Sequence, residues 1–234
     1  KIDIQGKDSA EFLNRVYTNG WTKLPIGKAR YGIMLREDGL VFDDGTTSRL
    51  DECQYFMTTT TSNAAAVLSH MEYYLQVQWP ELDVKLTSVT EQWAAMALAG
   101  PRSRNVLSKL LPNINVNNES FPFMGVREVD IEGVPARIFR ISFSGELSYE
   151  INVPADFGEL IWQRVLEVGR AYNIRPYGTE AMGIMRIEKG HVAGPELDGR
   201  MTAADLGLQK LLSAKKDFIG SKMMNREGLK DKSR

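Results

Sequence analysis

The spacing of apolar residues changes along the chain, and each change marks an element. Ile2 and Ile4 alternate as in a half-buried strand, Gly6 interrupts, and Phe12, Leu13 and Val16 then recur at helical spacing. Tyr31–Leu35 and Leu40–Phe42 flank Arg36-Glu37-Asp38-Gly39. Asp-Gly is a tight-turn dipeptide because glycine tolerates positive φ, so this stretch predicts a β-hairpin. Gln54–Thr60 is rich in aromatic and β-branched residues and predicts a third strand. Thr61 or Ser62 is placed to cap a helix carrying Val67, Leu68, Met71, Tyr74 and Leu75, which Trp79-Pro80 ends. Val84–Val89 is again strand-like.

A second set begins near Gln92. Trp93–Leu98 predicts a buried strand, and Gly100-Pro101 opens a short helix where the missing proline N–H costs nothing. Val126–Ile131 and Ala136–Ser142 flank Glu132-Gly133 as another hairpin, and Tyr149–Val153 adds a strand. Residues 154–172 place Phe157, Leu160, Ile161, Val165, Leu166 and Val168 on one helical face. A last helix is expected from about Thr179 to Lys189, with Gly190 as its C-terminal cap.

Hairpin-linked strands with helices between them predict an α+β fold of antiparallel sheets in two interlocked lobes. The expected division is a first lobe over residues 1–90, a second over 91–205, and a basic linker, or the start of a further domain, over 206–234. The chain opens on a strand without an initiator Met or a signal-like leader, and both ends read as cut from a longer parent.

Composition narrows the function classes. The 29 basic and 30 acidic side chains nearly cancel, so no overall field favours nucleic acid or an anionic membrane. One cysteine, Cys53, excludes an internal disulfide framework, and two histidines leave no Cys/His zinc cluster to build. No apolar run approaches the ~20 residues of a membrane span. Neither a dinucleotide fingerprint nor a P-loop is present. A cytoplasmic protein without metal, membrane or nucleic acid is expected.

Three strings carry candidate chemistry. Asp43-Asp44 ends a strand-like run. Strict alternation puts Asp43 on the face of Val41, and Asp44 on that of Leu40 and Phe42. Asp is disfavoured within strands, so the pair marks either a functional carboxylate or a solvated strand end at Asp44-Gly45. Glu150 enters an apolar strand, where a carboxylate either faces solvent or needs a donor partner. Arg186 and Glu188 are two apart on a helix and do not face each other, and His191 follows the capping glycine as a loop histidine by default.

In this order the strings resemble the folate-binding aminomethyltransferase family, the T-protein of the glycine cleavage system and its relatives. The markers are Gly27–Tyr31, Gly39–Asp44, Ala99-Gly100-Pro101, Ser144-Gly145-Glu146 with Glu150, Arg175–Gly178, Arg186-Ile187-Glu188 and Lys216–Gly220. Tyr31–Gly39, Asp43–Thr47, Thr87–Trp93 and Tyr177–Met182 look like the branch formed by the C-terminal region of heterotetrameric sarcosine oxidase α subunits. Almost the whole chain is covered, without the family's third, β-rich domain.

The resemblance implies that Asp44 is the essential carboxylate beside the reactive nitrogens of tetrahydrofolate. It implies that Glu150 accepts hydrogen bonds from the pterin amino-pyrimidine edge, whose groups are donors. Tyr31, Thr60 and Phe143 would line the pterin and aminobenzoate pocket. Arg186 would support Glu150 or the folate tail, and His191 falls where relatives often carry an aromatic ring. Phe143 and Met182 stand where T-proteins commonly have Tyr and Arg, which loosens the link to lipoyl-protein chemistry.

The activity so implied is capture of the imine from sarcosine oxidation, giving 5,10-methylenetetrahydrofolate and glycine. A flavin (FMN or FAD), NAD and a β subunit would belong to the rest of the parent complex. Alternatives on the same fold are a non-catalytic subunit-docking module, a T-protein aminomethyltransferase and a folate-dependent demethylase. The iron–sulfur and tRNA-modification relatives usually carry a cysteine after a Lys-Gly, and Lys189-Gly190 is followed here by His191.

Overall fold

The computed structural model describes residues 1–229. The described chain separates into two compact units, one formed by Lys1–Ser88 with the segment from Val192, the other by Val89–His191.

In the first unit, β1 (Ile2–Gln5), β2 (Lys28–Leu35), β3 (Val41–Asp51), β4 (Gln54–Met57) and β5 (Lys85–Ser88) form an antiparallel sheet of order β2-β3-β4-β1-β5. Both faces of this sheet are covered. On one side α1 (Ser9–Val16) and α2 (Ala64–Tyr73) bury Phe12, Leu13, Val16, Val67 and Met71 against Ile2, Ile4, Met34, Tyr55 and Met57. On the other, Ile33, Leu35 and Val41 pack with Ala203 and Phe218 of the C-terminal segment. The structure therefore groups residues 192–205 with this unit, not with the second lobe. It also gives part of the expected linker a packing role, because Phe218 and Ile219 are buried.

The second unit holds β6 (Trp93–Ala99), β7 (Val126–Ile131), β8 (Val134–Phe139) and β9 (Ser148–Pro154) in the antiparallel order β6-β9-β8-β7. Leu98, Ile131, Ile138, Tyr149, Ile151 and Val153 face a core closed by α3 (Ser103–Leu110) and α4 (Gly158–Gly169). The fifth helix, α5 (Thr179–Lys189), ends at Gly190 in the left-handed region (φ 80°), as its sequence requires.

Three local expectations are corrected. Trp93–Leu98 forms a strand but lies at the sheet edge, so within it only Leu98 is fully buried. The hydroxyls of Thr61 and Ser62 do not cap α2. The helix is entered through a 3₁₀ turn over Thr61–Asn63, and Asn63 Nδ2 donates instead to the Phe42 carbonyl (3.1 Å). The third strand stops at Met57, and Thr58–Thr60 leave the ladder as an irregular segment beside β3.

Candidate functional site

Register explains how adjacent aspartates reach different environments. Across β2 and β3, Ile33 pairs with Asp44 and Met34 with Asp43, but Leu35 pairs with Val41. Phe42 is thus the extra residue of a β-bulge, and strict alternation fails at this point. Phe42 and Asp43 both turn toward the α1/α2 side, where Phe42 packs with the core that contains Met34. Asp44 shares the opposite face with Ile33 and Tyr31. The expectation that Asp43 follows Val41, and Asp44 follows Phe42, is corrected by this single inserted residue.

Asp44 is half-buried. It accepts a 2.7 Å hydrogen bond from the Tyr31 hydroxyl and a longer one, 3.4 Å, from the Thr60 hydroxyl. Burial, followed by the charge and hydrogen bond of Asp44, holds the Tyr31 phenol far above its ordinary pKa. Tyr31 therefore stays protonated and donates. Asp43 is fully buried, and its Oδ2 accepts the Thr60 N–H at 3.2 Å. Burial, opposed by hydrogen bonds from Thr60 and reinforced by the Asp44 charge, pushes Asp43 up to about 6 from 3.8.

The backbone is built for this approach. Met57 pairs with Thr47, and the Thr58 N–H donates to the Thr46 carbonyl at 2.8 Å, so the chain runs back along β3 toward the aspartates. Gly45 makes room for it: a Cβ there would lie 1.9 Å from the Thr58 carbonyl oxygen. The sequence singled out Asp44, and the resemblance Tyr31 and Thr60, which the structure brings together; it read Gly45 only as a possible solvated strand end and gave no role to Thr58 or Asn63. The run of threonines at Thr58–Thr61 was the available signal.

In the second unit Glu150 lies on β9, an inner strand, with Ala97 of β6 on one side and Phe139 of β8 on the other. It is half-buried, which differs from a freely solvated strand glutamate. Ala97 also lines a cleft of about 740 Å³ whose walls include Ala95, Trp162, Arg175, Tyr177 and Met182. The Tyr177 hydroxyl is raised by burial and then by the charge of Glu150, so that carboxylate is felt at the cleft. Arg186 Nη1 donates to the His191 carbonyl at 3.2 Å, tying the end of α5 to the residue after its cap. The His191 ring stacks on Phe143 (centroids 6.1 Å, interplanar angle 24°), and its Nδ1 lies 2.9 Å from the Phe143 carbonyl oxygen. The expected residues thus form two local groups, Asp44 with Tyr31 and Thr60, and Phe143 with His191 and Arg186.

Among the described residues no group of three or more His, Cys, Asp and Glu side chains could hold a metal ion. No described helix is long and apolar enough to cross a membrane.

The sequence matches the family described as the GCVT N-terminal domain over residues 1–216. The chain belongs to this family. Its GCVT-domain relatives include the sarcosine oxidase subunit alpha of Rhizobium meliloti (strain 1021), 54% identical over 98% of this chain and 23% of that protein. The corresponding subunit of Corynebacterium sp. (strain P-1) is 52% identical over 97% of the chain and 24% of the relative. The aminomethyltransferase of Listeria monocytogenes serotype 4a (strain HCC23) is 32% identical over 96% and 60%. The chain therefore spans about a quarter of the oxidase subunits it matches. The crystal structure of aminomethyltransferase T from Bartonella henselae superposes with a TM-score of 0.81 at 24% identity, covering 95% of this chain and 59% of that one. That likeness shows a shared GCVT fold of antiparallel sheets and helices.

Proposed function

We propose that this chain is the tetrahydrofolate-binding, one-carbon-transfer region of a sarcosine oxidase α subunit. In this role it takes the imine formed from sarcosine to 5,10-methylenetetrahydrofolate and glycine. Oxidation of sarcosine, with its flavin and the β subunit, would take place elsewhere in the parent enzyme. The strongest support is the setting of Asp44, a half-buried strand carboxylate held by a phenol that cannot itself ionise at neutral pH.

The residues fit a reduced folate by their chemistry. A pterin presents N–H donors on its amino-pyrimidine edge, and Glu150 offers an acceptor between apolar neighbours. Phe143 and the stacked His191 provide an aromatic surface, and Tyr31 a second ring beside Asp44. When bound, tetrahydrofolate supplies the nitrogens that take up the one-carbon unit.

The chain's own contribution is positioning and proton management. Asp44 accepts a proton at a carboxylate oxygen and offsets positive charge near it, a combined effect worth roughly 10²–10⁴-fold. Tyr31 fixes one oxygen of Asp44 by donating to it, and Thr60 lies at the other. Glu150 would fix the ring by accepting, and Arg186 would support Glu150 or the folate tail.

The test is product partition in the full oxidase, formaldehyde against methylenetetrahydrofolate, at saturating folate. Asp44→Ala is expected to shift products to formaldehyde while sarcosine oxidation continues. Wild-type partition in that variant would remove the proposed role. A wild-type enzyme that neither binds tetrahydrofolate nor changes its products with it would favour a docking module instead.

A further inference from the structure

The full burial of Asp43 is not explained by the proposed chemistry, which uses only its neighbour. Asp43 Oδ2 accepts the Thr60 N–H, while Oδ1 is buried without a hydrogen-bond partner among the described residues. A buried carboxyl with an unsatisfied oxygen is costly, and a strand position on an apolar face would ordinarily hold a Val or Ile. The site keeps an acceptor at that point nonetheless.

The donor that meets this carboxyl with hydrogen-bond geometry is the Thr60 N–H, and the Thr60 hydroxyl and Asn63 side chain lie close enough to lower its pKa as well. Thr60 is the last residue of the irregular segment, and its hydroxyl is the one that approaches Asp44 Oδ1. Two other residues tie this stretch of chain to β3: Thr58, whose N–H donates to the Thr46 carbonyl at 2.8 Å and whose hydroxyl meets the Thr46 hydroxyl at 2.9 Å, and Asn63, whose Nδ2 donates to the Phe42 carbonyl. Both lie to either side of Thr60, and only the Asp43 contact fixes its amide. Because of the bulge at Phe42, Asp43 reaches Thr60 from the α1/α2 face while Asp44 meets the same residue from the other. Thr60 is held at its backbone N–H by one aspartate, while its hydroxyl, which Asp43 also feels, reaches the next.

We propose that Asp43 is a positioning residue for Asp44, acting through the Thr60 amide to hold the Thr60 hydroxyl against the functional carboxylate. The adjacent aspartates thereby divide the work: the second meets the substrate, and the first sets the geometry of the second. This rests on the one-carbon-transfer role proposed for Asp44, and it concerns residues of this chain alone. The required property at position 43 is an oxygen acceptor of aspartate length, not a charge.

Three variants in the full protein test this: Asp43→Asn keeps an acceptor without a charge, Asp43→Ala removes it, and Thr60→Val removes the hydroxyl but keeps the N–H. Without folate, amide hydrogen exchange at Thr60 is expected to stay slow in Asp43→Asn and to become fast in Asp43→Ala. With folate and sarcosine, Asp43→Ala and Thr60→Val should each lower the limiting capture ratio, methylenetetrahydrofolate over formaldehyde, by about tenfold, the value of one hydrogen bond to a charged group. The folate concentration for half-maximal capture should change less than about twofold, and Asp43→Asn should restore capture. The double variant Asp43→Ala/Thr60→Val should be no worse than Thr60→Val alone.

Losses that multiply in the double variant, or an Asn variant as impaired as the Ala variant, would overturn the proposal. Unchanged Thr60 exchange in Asp43→Ala would do the same, and that measurement needs no folate. A wild-type enzyme with folate-independent products would instead remove the assigned function.

Discussion

At the scale of single residues, Asp43 links the site to folding stability. Its carboxyl titrates at about 6 in the folded chain against 3.8 ordinarily, chiefly because it is buried. Between those values the folded state holds a proton that the unfolded state has released, so stability falls as pH rises. The loss ends above the folded value and amounts to roughly 3 kcal/mol for about two units. Asp43→Asn removes the titrating group. In urea unfolding from pH 4 to 8, the variant is expected to gain on the wild type as pH rises to about 6, with a constant difference beyond. A difference that stays flat from pH 4 upward would mean that Asp43 is charged in the folded state throughout.

At the scale of elements, the sequence reading succeeded where a local pattern determines structure. Asp38-Gly39 sets the β2–β3 hairpin because Gly39 takes positive φ (86°) and Asp38 Oδ1 accepts the Leu40 N–H at 3.0 Å. Gly190 ends α5 for the same conformational reason. Features that depend on a partner strand were invisible. Nothing in Val41-Phe42-Asp43 announces a bulge, since the inserted residue is apolar and both of its neighbours are buried. Trp93–Leu98 looked central because its residues are apolar, yet small alanines suit an edge strand facing a cleft. Tyr31 and Thr60 were reachable only through family resemblance, because their contacts with Asp44 span 13 and 16 residues.

The same level of organisation gives Gly45 its importance. A strand glycine usually costs stability relative to alanine, but here the Cβ of Gly45→Ala would meet a backbone oxygen that no rotamer change can move. We expect Gly45→Ala to separate Thr58–Thr60 from β3, to cost more than ~2 kcal/mol, and to lower one-carbon capture as Thr60→Val does. Ordinary stability with normal capture would show that the segment can shift without consequence for Asp44.

At the scale of the molecule, the segment from Val192 decides whether the first unit has one buried sheet face or two. Composition pointed to a linker over residues 206–234, because basic side chains outnumber acidic ones from Lys215 onward. The structure shows why composition misled. Phe218 and Ile219 anchor that stretch, and between them they join both cores of the unit. Lys216 Nζ donates to the Asn14 and Tyr17 carbonyls at 2.5 Å each, closing the end of α1, and the Ile219 N–H donates to the Arg15 carbonyl. The Ser213 N–H and the Thr18 carbonyl add a further link to the same turn. Ile33, Leu35 and Val41 are otherwise an apolar sheet face, and full burial of such side chains is worth about 1.5–3 kcal/mol each. Their sum is comparable to the whole stability of a domain, about 5–15 kcal/mol. Removing the chain from Val192 is therefore expected to abolish amide protection in β2 and β3 and to expose a dye-binding apolar surface. Asp44 and Tyr31, on that same uncovered face, would lose their fixed geometry with it. Retained slow exchange at Ile33 and Asp44 in the shortened protein would show that the sheet needs no cover, and that the C-terminal segment only rests on a face already stable without it.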